Sequence, residues 1–156
     1  MARFSESLIL VPLIESKDYG SAGVDADGVN LGLTNGFSAA FVFGNITGNS
    51  ILTVYAGATA ANTTAIAFKY RLGAADYKSA LADQLGDPIS VASTGLTLTA
   101  ATFDHRLVII EIDPDTMPDG KPWVTFSFDA TASVFNLGGV GLARPRQAAH
   151  LAGSIL

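Results

Sequence analysis

The sequence predicts an all-β protein: an antiparallel β-sandwich or barrel of jelly-roll type, with extended arms at both ends. Three observations lead there. Apolar residues recur at every second position in run after run, the spacing of a strand with one buried face. The runs are short and are closed by pairs rich in Gly and Asn, which tolerate the positive φ of tight turns. β-branched and aromatic residues fill the runs, and these fit a pleated, half-buried surface.

The elements follow in order. Residues 8–14, LILVPLI, read as a first strand. The run is too short to cross a bilayer, and Pro12 interrupts it. Glu6 ahead of it and ESKDYG behind it make a poor secretion signal, so the chain is expected to be kept, or assembled, in the cytoplasm. NGFSAAFVFGN sets Phe37, Ala39, Phe41 and Phe43 on one face. SILTVYAG alternates around Leu52, Val54 and Ala56, and TAIAFKYRL around Ile66, Phe68 and Tyr70. AADYKSALADQLG spaces Tyr77, Leu81 and Leu85 four apart ahead of Gly86. That predicts the one plausible helical turn or, equally, an irregular crossover. GLTLT is a short strand. RLVIIEID is apolar on both faces except at Glu111, as for a central strand covered on both sides. DPDTMPDGKP is a loop, PWVTFSFDA points Val124, Phe126 and Phe128 inward, and SVFNLGGVGLA closes the series. The turn pairs are Asn35-Gly36, Gly44-Asn45, Gly48-Asn49, Ala56-Gly57 and Asp119-Gly120. No repeat or linker divides the chain. It reads as an N-terminal arm over 1–7, one β domain over 8–142 and a C-terminal arm over 143–156.

Composition limits the functions open to it. The 156 residues contain no cysteine, which removes disulfides, thiolate metal sites and cysteine nucleophiles together. Charged residues make up 15% of the chain and apolar residues 49%; soluble domains carry about 25% charge. Part of that apolar surplus is expected to form contact surface in an assembly. A net charge of −5, with scattered basic residues, argues against a nucleic-acid partner.

Each candidate for chemistry meets a structural reading that outweighs it. Asp104–His105–Arg106 precedes the most apolar strand. Neighbours on a strand face opposite sides, so Asp104 and His105 are not expected to meet, and no G-x-S-x-G elbow supplies a nucleophile. The triplet reads as a turn entering the strand, with Arg106 pairing to an acid. DADG at 25–28 and DPDTMPDG at 113–120 resemble calcium loops superficially. Counting from Asp113, however, Met117 and Pro118 occupy positions five and six of the ligand pattern, so turn chemistry is the better account. The glycines of NLGGVGLA lie inside a strand pattern, which points to close backbone approach or a bulge. Asn45 and Asn62 begin glycosylation sequons, which mean little without a secretion signal. Trp123 opens a strand; a sugar platform is conceivable there, but a partly buried strand-end Trp is the simpler reading. No catalytic residue, cofactor, metal or membrane partner is expected.

Longer stretches carry a resemblance. LVPLIESKDYGSAGVDADGVNLGLTNGFSAAFVFGNITGNSILTVYAGA is similar to small structural proteins of tailed bacteriophages. So are AFKYRLGAADY and LTLTAATFDHRLVIIEIDPDTMPDGKPWVTF, and together they span roughly Leu10 to Leu142. The type is the capsid-decoration, or cement, protein. The resemblance implies a β-rich virion protein on the capsid exterior, often a trimer at local threefold positions. Its partners would be the major capsid protein and itself. Other virion roles (tail or head fibre) and a β-sandwich carbohydrate-binding module are the alternatives. The contact is expected in the arms, which can order on binding. Arg144 and Arg146, released from the last strand by Pro145, would meet acidic groups, and Leu151, Ile155 and Leu156 would anchor. Phe4 is the N-terminal rival.

Overall fold

The computed structural model describes residues 7–130 and 134–146. β1 (Ile9–Asp18) leads into two short strands, β2 (Val24–Asp25) and β3 (Val29–Asn30), and a 3-10 turn at Leu31–Leu33. β4 (Thr34–Ile46) and β5 (Asn49–Gly57) follow. Then come β6 (Thr64–Ile66), β7 (Phe68–Leu72), β8 (Ile89–Val91) and β9 (Leu96–Thr99). A single helical turn, α1 (Ala100–Phe103), precedes β10 (Leu107–Ile112). β11 (Trp123–Ala130) and β12 (Phe135–Pro145) complete the series.

The pairing is nested and antiparallel throughout. β1 pairs with β12, β2 and β3 pair with β11, β4 pairs with β10, and β5 pairs with β9. Wrapping that long ribbon back on itself sets β12 beside β4 and β11 beside β5. The product is two sheets, β1-β12-β4-β10-β7-β8 and β2-β11-β5-β6, with β3 also on β11 and β9 also on β5. This strand order is that of a jelly-roll sandwich. β6, β7 and β8 stand outside the nest as an insertion between β5 and β9. Its first strand extends one sheet and its other two extend the other.

Alternation places the core. Phe37, Phe41 and Phe43 of β4 and Phe126 and Phe128 of β11 are at most 2% exposed. Phe41 lies edge-on to Phe126 and Phe128, with ring centroids 5.2 and 5.0 Å apart. Such pairs add about 0.5–1.5 kcal/mol beyond their area burial. Space for these rings comes from β12. A Cβ on Gly139 would stand 2.5 Å from Phe41 Cδ1, and one on Gly141 would stand 2.6 Å from Phe37 Cζ. The glycine run is therefore a close approach inside a strand, as the sequence suggested. Along β1, the outer edge of its sheet, Pro12 and two register shifts break the line of free backbone groups that would invite another strand.

Three expectations need correction, and one open choice is decided. TAIAFKYRL is not one strand: it breaks at Ala67, with Ile66 paired to Val54 in one sheet and Phe68 to Val91 in the other. AADYKSALADQLG, equally open to a helical turn or an irregular crossover, takes the crossover and forms turns. Tyr77, Leu81 and Leu85 are 44, 52 and 42% exposed, so the apolar stripe has nothing to bury. Asp76 accepts from the Lys78 N–H there, the local bonding that lets Asp compete with helix. The helical turn stands instead at α1, where it drives Phe103 into the core between Phe43 and Tyr70. The described residues cover β10 on one face only: Val108, Ile110 and Ile112 are buried, whereas Leu107 and Ile109 are half-exposed. Finally, the last strand runs past the boundary drawn at Leu142 to Pro145. Ala143 is fully buried opposite Phe37.

The joint between first and last strands has a pH signature. The Asp18 carboxylate accepts from the backbone N–H of Phe135 at 2.8 Å and of Gly20 at 2.9 Å. These two bonds, the Phe135 bond first, hold its pKa below the ordinary 3.8. A depressed carboxylate stabilises the fold above its unfolded pKa, and the stabilisation is lost as pH falls through the folded value. Asp18→Ala is therefore expected to lower the melting temperature at pH 7, with the gap from the native chain narrowing below about pH 4. Calorimetric melts at both ends of that range check it; an unchanging gap would show that the bonds do not depend on the carboxylate's charge.

Candidate functional site: the two outer faces of the sandwich

Asp104–His105–Arg106 forms the turn between α1 and β10. His105 has φ +55°, in the left-handed region, and this departure from strand geometry brings neighbouring side chains together. The Asp104 carboxylate accepts from His105 Nδ1 at 2.9 Å and from the Ile46 N–H at 2.8 Å. The expectation that the two side chains would not meet thus fails, because these residues sit in a turn. Among the described residues Arg106 pairs with no acid; its guanidinium donates to the Gly73 carbonyl at 2.7 Å. Asp76 lies 4.0 Å from His105 Nδ1, and the Tyr77 ring stands edge-on to the imidazole. No hydroxyl hydrogen-bonds to the imidazole among the described residues. The cluster ties α1, β10 and the insertion together.

The acidic stretches act as turn and edge elements. Asp113 caps the 3-10 turn at Pro114–Thr116 by accepting from the Asp115 N–H at 3.0 Å. DADG is the interruption between β2 and β3, held by Ala26 N–H to the Phe126 carbonyl and Asp27 N–H to the Leu13 carbonyl. Among the described residues no three acidic or histidine side chains cluster to hold a metal. No helix among them is long and apolar enough to cross a membrane. Trp123 is half-buried at the start of β11, opposite Gly57 and Asn30.

The outer face of the first sheet is apolar. Register aligns Leu10 with Leu142, Pro12 with Val140, Val140 with Ala40, and Ala40 with Ile109. Val42 pairs with Leu107 beside them. Leu10, Val42 and Val140 are 60, 47 and 41% exposed. Charge appears at its margins: toward β7, where Arg71 Nε and Glu111 Oε2 are 3.5 Å apart, and at the end of β12, where Arg144 is exposed. An antiparallel sheet facing water ordinarily alternates apolar-in and polar-out. Here the central strands are apolar on both sides, and no described residue covers the second side. That open face is the physical meaning of the doubly apolar RLVIIEID run.

The two arginines expected to act together have different surroundings. Arg146 is held within the chain. Its N–H donates to the Leu33 carbonyl, its Nε to the Thr34 carbonyl at 2.9 Å, and its Nη2 to Asp115 Oδ1 at 3.1 Å. Arg144, opposite Gly36 in β12, borders a groove of about 290 Å³ with Leu8, Ser38, Glu111 and Leu142. It has no ion pair among the described residues. Phe4, Leu151, Ile155 and Leu156 lie outside the described residues. The face built from Leu10, Val42 and Val140 was missed as a candidate. The signal for it was present in the even-numbered apolar residues of strands whose odd-numbered residues already formed a core.

The outer face of the second sheet is polar. Thr125 and Ser127 of β11 stand opposite Tyr55 and Asp25 respectively, and form a shallow trough of about 390 Å³.

No protein-family model matches the chain, and no curated protein matches it. Among solved structures it is similar to infectious bursal disease virus Gx strain, with 16% identity and a TM-score of 0.25 over 89% of this chain and 40% of that one. T=1 particles derived from the same virus match at 14% identity and TM-score 0.26, over 95% of this chain and 42% of that one. Its VP2 subviral particle matches at 12% and 0.25, over 95% and 43%. The chain thus spans about two fifths of the solved chains it matches. Likeness at that TM-score transfers neither site nor function. The strand order alone defines the class: a jelly-roll β-sandwich, an architecture shared by viral capsid and lectin domains. Function on such a fold has to be argued from its surfaces.

Proposed function

We propose that this protein is a structural protein of a tailed-phage virion, a capsid-decoration or cement protein. In this reading it binds the outer surface of the capsid lattice and stabilises it through contacts between subunits. The observation that carries the reading is the apolar centre of the first sheet's outer face, where Leu10, Val42 and Val140 stand exposed, a surface that gains from being covered. The sequence resemblance and the low charge support the same conclusion. A lattice repeats its binding site many times, so a moderate contact at each copy suffices to hold the shell through avidity. Its partners are the major capsid protein and further copies of itself, arranged as a homotrimer at local threefold positions. The role requires no reaction centre, cofactor, nucleic acid or membrane. Arg144 and the arm residues Phe4, Leu151, Ile155 and Leu156 extend the contact to a neighbouring subunit. Arg146 secures the strand end from which the C-terminal arm leaves.

The test adds purified protein to undecorated capsids of the phage that encodes it, followed by heating and cryo-electron microscopy. Intact protein is expected to coat the shell exterior and raise its rupture temperature. A chain cut before Leu8 and after Arg146 is expected to bind more weakly; the second cut spares Ala143, which belongs to the core. Absence of the intact protein from every shell would end the cement reading. Density on the tail or a head fibre instead would move the protein to another place in the virion.

A further inference from the structure

The second sheet's outer face has a built concavity. β11 runs along its middle and presents the short side chains Thr125 and Ser127, while Val124, Phe126 and Phe128 between them fill the core. Taller groups flank that floor, Tyr55 on β5 and Asp25 on β2. The loop over 58–62 closes one end. Gly28 lets it approach, since a Cβ there would meet Ala60 Cβ at 3.2 Å and Thr125 Oγ1 at 3.3 Å. Asn62 Nδ2 then fixes the loop by donating to Thr125 Oγ1 at 2.6 Å. The other end runs on past Ser127 toward Gly23 and Asp129. The side chains of Asp25, Tyr55 and Ser127 make no hydrogen bond to any described residue. Among the described residues no basic side chain lines the trough.

We propose that this trough binds a short neutral oligosaccharide. A hexose presents an apolar C–H face and a rim of hydroxyls that both donate and accept. Tyr55 offers the matching pair, a flat apolar ring with a polar tip. Asp25 is an acceptor for hydroxyl donors, and Ser127 serves as donor or acceptor. The fixed 58–62 loop gives the sugar chain a wall, and the open end lets it continue. Asp25 and Asp129, with no cation between them, repel uronic and sialic acids, so the site selects against anionic glycans. The trough lies on the side of the sandwich away from the apolar face. It does not rest on the capsid reading, and a chain docked through the first sheet would hold it outward. A shallow site of this kind implies a Kd of about 1 mM for a single copy, strengthened where many copies stand together.

The test screens the full chain against an array of neutral gluco-, galacto- and manno-oligosaccharides beside sialylated and uronic-acid ones. The best neutral glycan is then titrated by heteronuclear NMR. The expected result is neutral binding, with shifts at Thr53, Tyr55 and Ser127 and none at Val42. Tyr55→Ala and Asp25→Ala should each weaken it by about tenfold or more. Asp25 is exposed on a two-residue strand, so its variant keeps the fold even where loss of Tyr55 disturbs β5. Binding of no neutral glycan up to about 10 mM, preference for acidic ones, or full affinity in a folded Asp25→Ala chain would each overturn the assignment. Failure to bind capsids would leave it standing.

Discussion

Phe126→Ala is expected to destabilise the protein by about 3–5 kcal/mol, the range for truncating a buried Phe. The ring is fully buried at the middle of β11. It stacks toward Phe37 at 6.2 Å and meets Phe41 edge-on at 5.2 Å. Both partners come from β4, in the opposite sheet, so one substitution removes two of the ring contacts between the layers and leaves Phe128 to hold the rest. The backbone around it cannot close the gap easily, because β11 is tied on both sides, to β5 and to β2 and β3. Ile110→Ala, on the same inner surface from β10, should cost about 2–5 kcal/mol. His105→Ala should cost about 1 kcal/mol, the worth of one hydrogen bond to Asp104. Urea melts of the three variants rank them. Were His105→Ala the most damaging, the turn before β10 would hold the fold and the aromatic interlayer contact would not.

The sequence was legible where a single periodicity decided the outcome. Phe37, Phe41 and Phe43, and Val124, Phe126 and Phe128, each needed only a period of two to place them inside, and they lie inside. Ala67 was not legible, because the alternation of TAIAFKYRL continues unbroken while the chain passes from one sheet to the other. Which sheet a strand joins depends on its partner, and Val54 and Val91 are far away in sequence. Tyr77, Leu81 and Leu85 left helix and crossover equally open for a related reason. Helical spacing matters only when a surface exists for the stripe to cover, and the insertion offers none. Asp104 and His105 depended on one backbone angle. A strand-based argument kept them apart, and the left-handed φ at His105 puts them at 2.9 Å. The open face of the first sheet was half-legible: RLVIIEID announced two apolar sides, but the strand alone did not say that only one would be covered within the described chain.

That uncovered side yields the second large effect. Val42→Lys combined with Val140→Lys should abolish capsid decoration while leaving the fold intact. Both residues are outward and more than two fifths exposed, on the neighbouring central strands β4 and β12. Lysine at exposed strand positions gives up some β-propensity, within about 1 kcal/mol per site. Contact with the shell is a different matter, because it would strip water from two ammonium groups with no partner. An uncompensated buried charge costs several kcal/mol, and each 1.4 kcal/mol is about a tenfold loss of affinity. A fall of about a hundredfold or more in shell binding is therefore expected. Ile51→Lys is the control: it adds one such charge at a 42% exposed position on the opposite face, and should decorate normally. Three results separate the possibilities. Loss of binding in the double variant alone places the capsid contact on the first sheet. Equal binding by the double variant and the control removes that face from the contact and leaves the arms to carry it. A drop in melting temperature of more than about 10 °C in the double variant, beyond the roughly 2–4 °C that each kcal/mol costs a domain of this length, would mean that the face is already covered within the chain. The apolar surface would then belong to the fold rather than to the lattice.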